Sequence, residues 1–199
     1  MRELILGITG ASGSLCARRL LEELSVHPEV ARINVVASRA ARKVAREELG
    51  LSGEGSEEFR RSLAPVKGDR VRWLEEDDLA APIASGSYPC DGMAVVPCST
   101  GTLAAIAHGA SRNLIHRAAE VQIKERRTLI LGIRESPFSL VHIENMRLAT
   151  LAGAVIVPVT PLFYNRPVSL DEIVEQYTAR VLDLLHLPHR IGRRWKSEP

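Results

Sequence analysis

This 199-residue chain contains only three cysteines, Cys16, Cys90 and Cys98, and no two stand at C-x-x-C spacing. An odd, unpaired set argues against a disulfide framework or a zinc ribbon and suits a reducing cytoplasm. Long apolar runs are lacking too. No window reaches the roughly 18 apolar residues of a membrane helix. The run in the opening "MRELILGITG" is too short for a secretory signal and has no small-residue cleavage site behind it. A soluble, cytoplasmic protein is expected. A strong charge of one sign is missing: the net charge is +2, which gives no general case for a nucleic-acid or membrane partner. Lysine is rare, with 22 Arg and 4 Lys among 26 basic residues. Arg favours forked contacts to carboxylate or phosphate, although genomic base composition produces the same skew. His108, His116 and His142 show no H-E-x-x-H spacing. They read as helix caps or interface residues, and no metal is expected.

What is present is an ordinary globular composition, 45% hydrophobic and 25% charged, long enough for one sizeable core. "LILGI" (Leu4–Ile8), "INVVA" (Ile33–Ala37), "MAVVP" (Met93–Pro97), "TLILGI" (Thr128–Ile133) and "AVIVPV" (Ala154–Val159) are nearly continuously apolar, as strands covered on both faces should be. Helical stripes lie between and after them: Leu15, Leu20, Leu21 and Leu24; Leu114, Ala118, Val121 and Ile123; Leu140, Ile143, Leu148 and Leu151; Ile173, Tyr177, Val181 and Leu184. The alternation predicts an α/β fold, a three-layer, doubly wound parallel sheet of flavodoxin or Rossmann type. The polar stretch Leu51–Pro89 predicts one short helix, the short strand "VRWL" and loops. With no repeat and no second core, 1–190 reads as one domain and 191–199 as a tail.

In such a sheet ligands gather beyond the carboxyl ends of the strands. Four polar clusters follow those ends: "TGASGS", "SRAA", "CSTGT" and "RESP". The turn "GITGASG" places Gly7, Gly10 and Gly13 where a strand gives way to a helix, a setting suited to an anion. Its spacing is not G-x-G-x-x-G. Ser38 stands where an NAD site wants an acid, and no G-K-[ST] follows. Hydroxyls at Ser12, Ser38, Ser99, Thr100 and Thr102 on neighbouring strand ends point to a mononucleotide phosphate, with FMN the natural candidate. Arg134-Glu135, at the mouth of an apolar strand, reads either as an ion pair or as handlers of phosphate and proton.

The segments "GITGASGS", "ASRAA" with Glu48 beyond it, "APIASGSY", "DGMAVVPCSTGTLAAIAHG", "NLIHRAAEVQIKERR", "IRESPFSLVHIENM" and "PLFYNRP" together resemble the flavin prenyltransferases, the UbiX-like family. They run from about Leu4 to about Trp195. The resemblance implies prenylation of reduced FMN at N5 and C6 by dimethylallyl monophosphate, a dodecameric assembly, and a UbiD-type decarboxylase as user of the product. It implies FMN contacts from Gly10, Ala11, Ser12, Ser38, Ser99, Thr100, Gly101, Thr102 and Arg134. It also implies prenyl-phosphate contacts from Tyr164 and Arg180 with Lys124 and Arg117 nearby, and acid–base work by Glu48 and Glu135. Leu79 departs from the pattern, since some members carry an aromatic there.

Such chemistry needs cations around a departing phosphate, a dry cavity and a proton-moving carboxylate. Lys124 and Arg117, seven apart, project from one helix face. Tyr164 and Arg180 could close over the substrate or come from another subunit. Cys98 reads as a buried small hydrophobe rather than a nucleophile, and Glu75–Asp78 as solvated surface. The competing reading is an FMN-dependent cysteine-type decarboxylase on the same fold, but the Asn typical of those enzymes is missing from "PCSTGT".

Overall fold

The computed structural model describes residues 1–52, 56–63 and 69–195. Its strands are β1 (Arg2–Ile8), β2 (Val30–Ala37), β3 (Val71–Leu74), β4 (Gly92–Cys98), β5 (Thr128–Ile133) and β6 (Val155–Ile156). The helices are α1 (Ser14–Val26), α2 (Arg39–Leu49), α3 (Ser56–Leu63), α4 (Thr100–Ala107), α5 (Leu114–Lys124), α6 (Leu140–Leu151) and α7 (Leu170–Leu184). The strands form one parallel sheet in the order β3-β2-β1-β4-β5-β6, as the strand–helix alternation predicts. The chain winds outward from β1 through β2 to β3, then returns to β1's other side to begin β4. That reversal opens a crevice at the β1–β4 carboxyl ends.

Successive strand residues face opposite sides of the sheet. Leu4, Leu6 and Ile8 join the cluster under α1, α3 and α7, with Leu20, Leu24, Phe59 and Val181. Ile5 joins the other cluster, under α4 and α5, with Leu103, Leu114, Ile115 and Ala118. Tyr177 of α7 is buried, and its hydroxyl has no hydrogen-bond partner among the described residues. That hydroxyl occupies the place a Cβ on Gly132 would take.

Three expectations need correction or refinement. The α6 stripe faces outward: Leu140, Ile143 and Leu151 are 72%, 49% and 72% exposed. The helix buries Asn145 and Ala149 instead, because Asn145 pairs with His108 (3.0 Å) and lets α6 sit close to α4. The last strand shrinks to two residues. Pro158 has no N–H for the ladder, although Val159 still donates to the Ile133 carbonyl at 2.8 Å. Glu75, Asp77 and Asp78 are exposed, as expected of solvated surface, but Glu75 and Glu76 also tie elements together. Glu75 pairs with Arg42 and Arg60, and Glu76 accepts from the Arg39 N–H while its carbonyl accepts from the Leu114 N–H.

Of the segment expected as a tail, 191–195 lies within the described residues, and it folds onto α7. The Gly192 N–H donates to Glu175, the Arg193 carbonyl accepts from Asn165, and Arg194 pairs with Asp183. Among the described residues no helix is long and apolar enough to cross a membrane. Cys16, Cys90 and Cys98 are buried and unpaired, and burial pushes the Cys98 thiol far up, which removes its nucleophilic form.

Candidate active site

The crevice holds a hollow of about 700 Å³, within the size range of small-molecule sites. Gly10, Ser38, Ser99, Gly101 and Thr102, all named from the sequence, line it. Each hydroxyl sits there for a local reason. Ser38 caps α2 by accepting from the Ala41 N–H, and Ser99 caps α4 by accepting from the Thr102 N–H. Thr9 joins the two loops: its hydroxyl donates to the Pro97 carbonyl (2.8 Å) and accepts from the Ser99 N–H (2.7 Å). Sequence reasoning missed Thr9, although a hydroxyl directly after a buried strand was the available signal. It also missed Arg112 and Asn113, and His116 was assigned only to capping or an interface. All three reach the hollow from the start of α5.

The other named residues are arranged around this hollow without lining it. Ala11 and Ser12 lie in the adjoining β1–α1 turn, and Thr100 is the first residue of α4. Arg134 and Glu135 follow β5, the strand beside β4. Among the described residues no ion pair joins them. Glu135 instead accepts from the Ser136 N–H at 3.0 Å, and Arg134 is exposed and makes no hydrogen bond or ion pair to a described residue. The ion-pair alternative for this dipeptide is therefore not realised.

Glu48 reaches from the end of α2 to the start of α1. Its carboxylate accepts from the Gly13 N–H (3.0 Å) and the Ser14 N–H (2.7 Å). Burial alone would raise its pKa, but hydrogen bonds from Ser12, Ser14 and Gly13 outweigh this and hold the carboxyl below the usual glutamate range. So placed, Glu48 is an anion at a helix N-terminus. A depressed folded-state pKa stabilises the protein above the unfolded value of about 4.3, and the benefit is lost as pH falls through the lower folded value. Glu48→Gln should therefore lower thermal stability at neutral pH by about 0.3–1 kcal/mol, the range for a solvent-screened charge at a helix terminus. The gap between variant and wild type should close on acidification below pH 4, as followed by thermal unfolding; a gap constant from pH 7 to pH 3 would refute this.

Arg117 and Lys124 do share a face. Arg117 donates to the Ala84 carbonyl at 3.0 Å, and a Cβ on Gly86 would run into Lys124 and Glu125, which pair with each other. Lys124 nevertheless ends α5, about 16 Å along the axis from its Asn113 cap at 1.5 Å per residue, and so lies away from the strand carboxyl ends. Tyr164 and Arg180 meet in a second hollow of about 300 Å³, with Arg193 and Trp195. The Tyr164 and Trp195 rings touch edge to face, centroids 5.2 Å apart. Leu79 is exposed beside the 3-10 turn Pro82–Ala84. His142 closes a capping box with Ser139, and among the described residues no three His, Cys, Asp or Glu side chains converge as a metal site would require.

A model of the Flavoprotein family matches residues 1–180. The flavin prenyltransferase UbiX of Methanocaldococcus jannaschii is 40% identical over 193 residues, 97% of this chain and 98% of its own. The chain belongs to the flavin prenyltransferase family. Another member, UbiX of Aquifex aeolicus, is 40% identical over 202 residues, covering 99% and 100% of the two chains. Among solved structures, AnUbiX (PadA1) in complex with FMN and dimethylallyl pyrophosphate superposes with a TM-score of 0.87 at 37% identity, covering 100% and 99%. The dodecameric FMN-dependent UbiX-like decarboxylase of Escherichia coli O157:H7 gives 0.86 at 39%, covering 98% and 100%. The cysteine decarboxylase TvaF shares the fold alone, at 17% identity and a TM-score of 0.60. Within the family frame, the lined hollow and the Tyr164–Arg180 hollow are two separate features of one subunit.

Proposed function

We propose that this flavin prenyltransferase joins the dimethylallyl group of dimethylallyl monophosphate to reduced FMN, and that the prenylated flavin is handed to a UbiD-type decarboxylase. The observation that carries the proposal is the 700 Å³ hollow at the β1–β4 reversal, lined by five of the residues expected to hold FMN, in a chain related to flavin prenyltransferases over nearly its full length. A relative of the same fold holds FMN and dimethylallyl pyrophosphate together.

Reduced FMN, when bound, supplies the nucleophilic N5 and C6 atoms. The chain's residues do the rest. Gly10, Ser38, Ser99, Gly101 and Thr102 cradle the nucleotide, with Ala11, Ser12 and Thr100 in the same turns and Arg134 reaching in from the end of β5. Glu135 moves protons as phosphate departs. Glu48, held as an anion, fixes the glycine turn. Tyr164 and Arg180 grip the prenyl phosphate, with Lys124 and Arg117 adding positive charge. These four lie outside the FMN hollow of their own subunit, so a neighbouring copy completes each site.

The outward apolar residues of α6 support assembly, and a homododecamer, the state described for the E. coli O157:H7 relative, is the expected size by light scattering. The buried, unpaired thiols suit a cytoplasmic setting. Incubating the protein anaerobically with reduced FMN and dimethylallyl monophosphate should raise the flavin mass by one prenyl unit. An unchanged mass, from protein shown to bind FMN, would overturn the proposal.

A further inference from the structure

His116 is 8% exposed, in the first turn of α5, and its side chain lines the hollow. The Arg112 backbone N–H donates to its Nδ1 at 3.3 Å. A ring that accepts at Nδ1 carries its proton on Nε2 when neutral, so Nε2 is a donor. No described residue accepts from it. Burial, and then the charge of Arg112, lower the pKa of this imidazole against the opposing pull of Glu76, which keeps the ring neutral at physiological pH. The ring is largely buried while its Nε2–H, with no acceptor among the described residues, is left for a ligand in the hollow.

Its neighbours say what kind of acceptor suits it. Toward α4 the lining is Gly101, Ala104 and Ala105, small residues that suit a flat ring. Toward α5 and α2 it is Ser38, Arg112, Asn113 and His116. The Arg112 guanidinium makes no hydrogen bond or ion pair to a described residue, and it is the only Arg or Lys among the lining residues. The rival anion seat at the start of α1 is already filled by the Glu48 carboxylate.

Resting on the reading that this hollow seats FMN, we infer that His116 is a positioning residue that donates its Nε2–H to the flavin phosphate, with Arg112 supplying the opposing charge at that end. The ring thereby fixes how far the nucleotide slides into the crevice. A hydrogen bond to a charged group is strong enough that His116→Leu should weaken FMN binding about tenfold or more. It should change riboflavin binding little, because riboflavin lacks the phosphate. His116→Gln returns an N–H donor near the Nε2 position and should recover most of the FMN affinity.

The test is titration of wild type, His116→Leu and His116→Gln with FMN and with riboflavin, followed by flavin fluorescence, alongside thermal unfolding without flavin. Selective loss of FMN in the Leu variant with recovery in the Gln variant supports the inference. Equal loss of both flavins, or no loss, overturns it. If the Leu variant unfolds, His116→Phe, which fills the same space without a donor, decides: a ratio of FMN to riboflavin affinity cut tenfold supports the assignment, and one near that of wild type overturns it. A wild type that binds no FMN would overturn the reading of the hollow itself and this inference with it.

Discussion

Glu135→Gln is expected to bind FMN as tightly as wild type and to prenylate it about 10² to 10⁴ times more slowly, the range for a lost general acid or base. Glu135 follows β5 at the carboxyl end of the sheet, and one of its oxygens accepts the Ser136 N–H. A glutamine keeps that bond through its amide oxygen, so the local backbone should stay in place. What it cannot do is carry a proton. Because Arg134 does not pair with Glu135, the substitution leaves no orphaned charge behind, and a loss of rate reports on proton movement rather than on a broken ion pair. Single-turnover measurement of flavin mass, beside an FMN titration, checks both halves. Normal turnover would remove Glu135 from the mechanism.

The second large effect is steric. A Cβ on Gly10 would lie 2.5 Å from the Ala40 Cβ and 3.3–3.4 Å from the Ala40 backbone. Gly10 belongs to the turn after β1 and Ala40 to the start of α2, and both line the hollow. Gly10→Ala must therefore push two walls of the site apart. Overpacking of this kind costs about 1–3 kcal/mol, which for a chain of this size lowers Tm by roughly 2–10 °C. FMN affinity should fall more than tenfold, because the displaced turn carries several of the expected contacts. Ala40→Gly in the same chain should restore much of both losses, since it removes the nearest of the colliding atoms. A double-mutant cycle with no coupling between the two positions would show that the contact is not the cause.

How far the sequence could be read follows from what each element buries. β1, β2, β4 and β5 are covered on both faces, so their apolar runs identify them, and the hydroxyls at their ends locate the hollow. The α6 stripe was misleading because periodicity reports that a helix has an apolar face, not what that face meets. Here the small Ala149 and the paired Asn145 turn inward. α2 left little trace, since Ala41 and Ala45 are its only buried residues. The roles of Glu48 and Glu76 depend on partners more than thirty residues away, and no local pattern encodes such pairings. His116 escaped notice as a site residue for the same reason. Its position in the first turn of α5 is visible in the sequence, but its nearness to Ser38 arises only once the helices dock on the sheet.

The carboxylate of Glu48 at the head of α1 has a consequence for life among the abundant free anions of a cell. A glycine-rich helix entrance left open would collect inorganic phosphate or sulfate, and a true substrate would have to displace it. Here the chain supplies its own permanent occupant, tethered and therefore impossible to dilute away. Stray anions are left to compete only at the side-chain cations, such as Arg112 in the hollow.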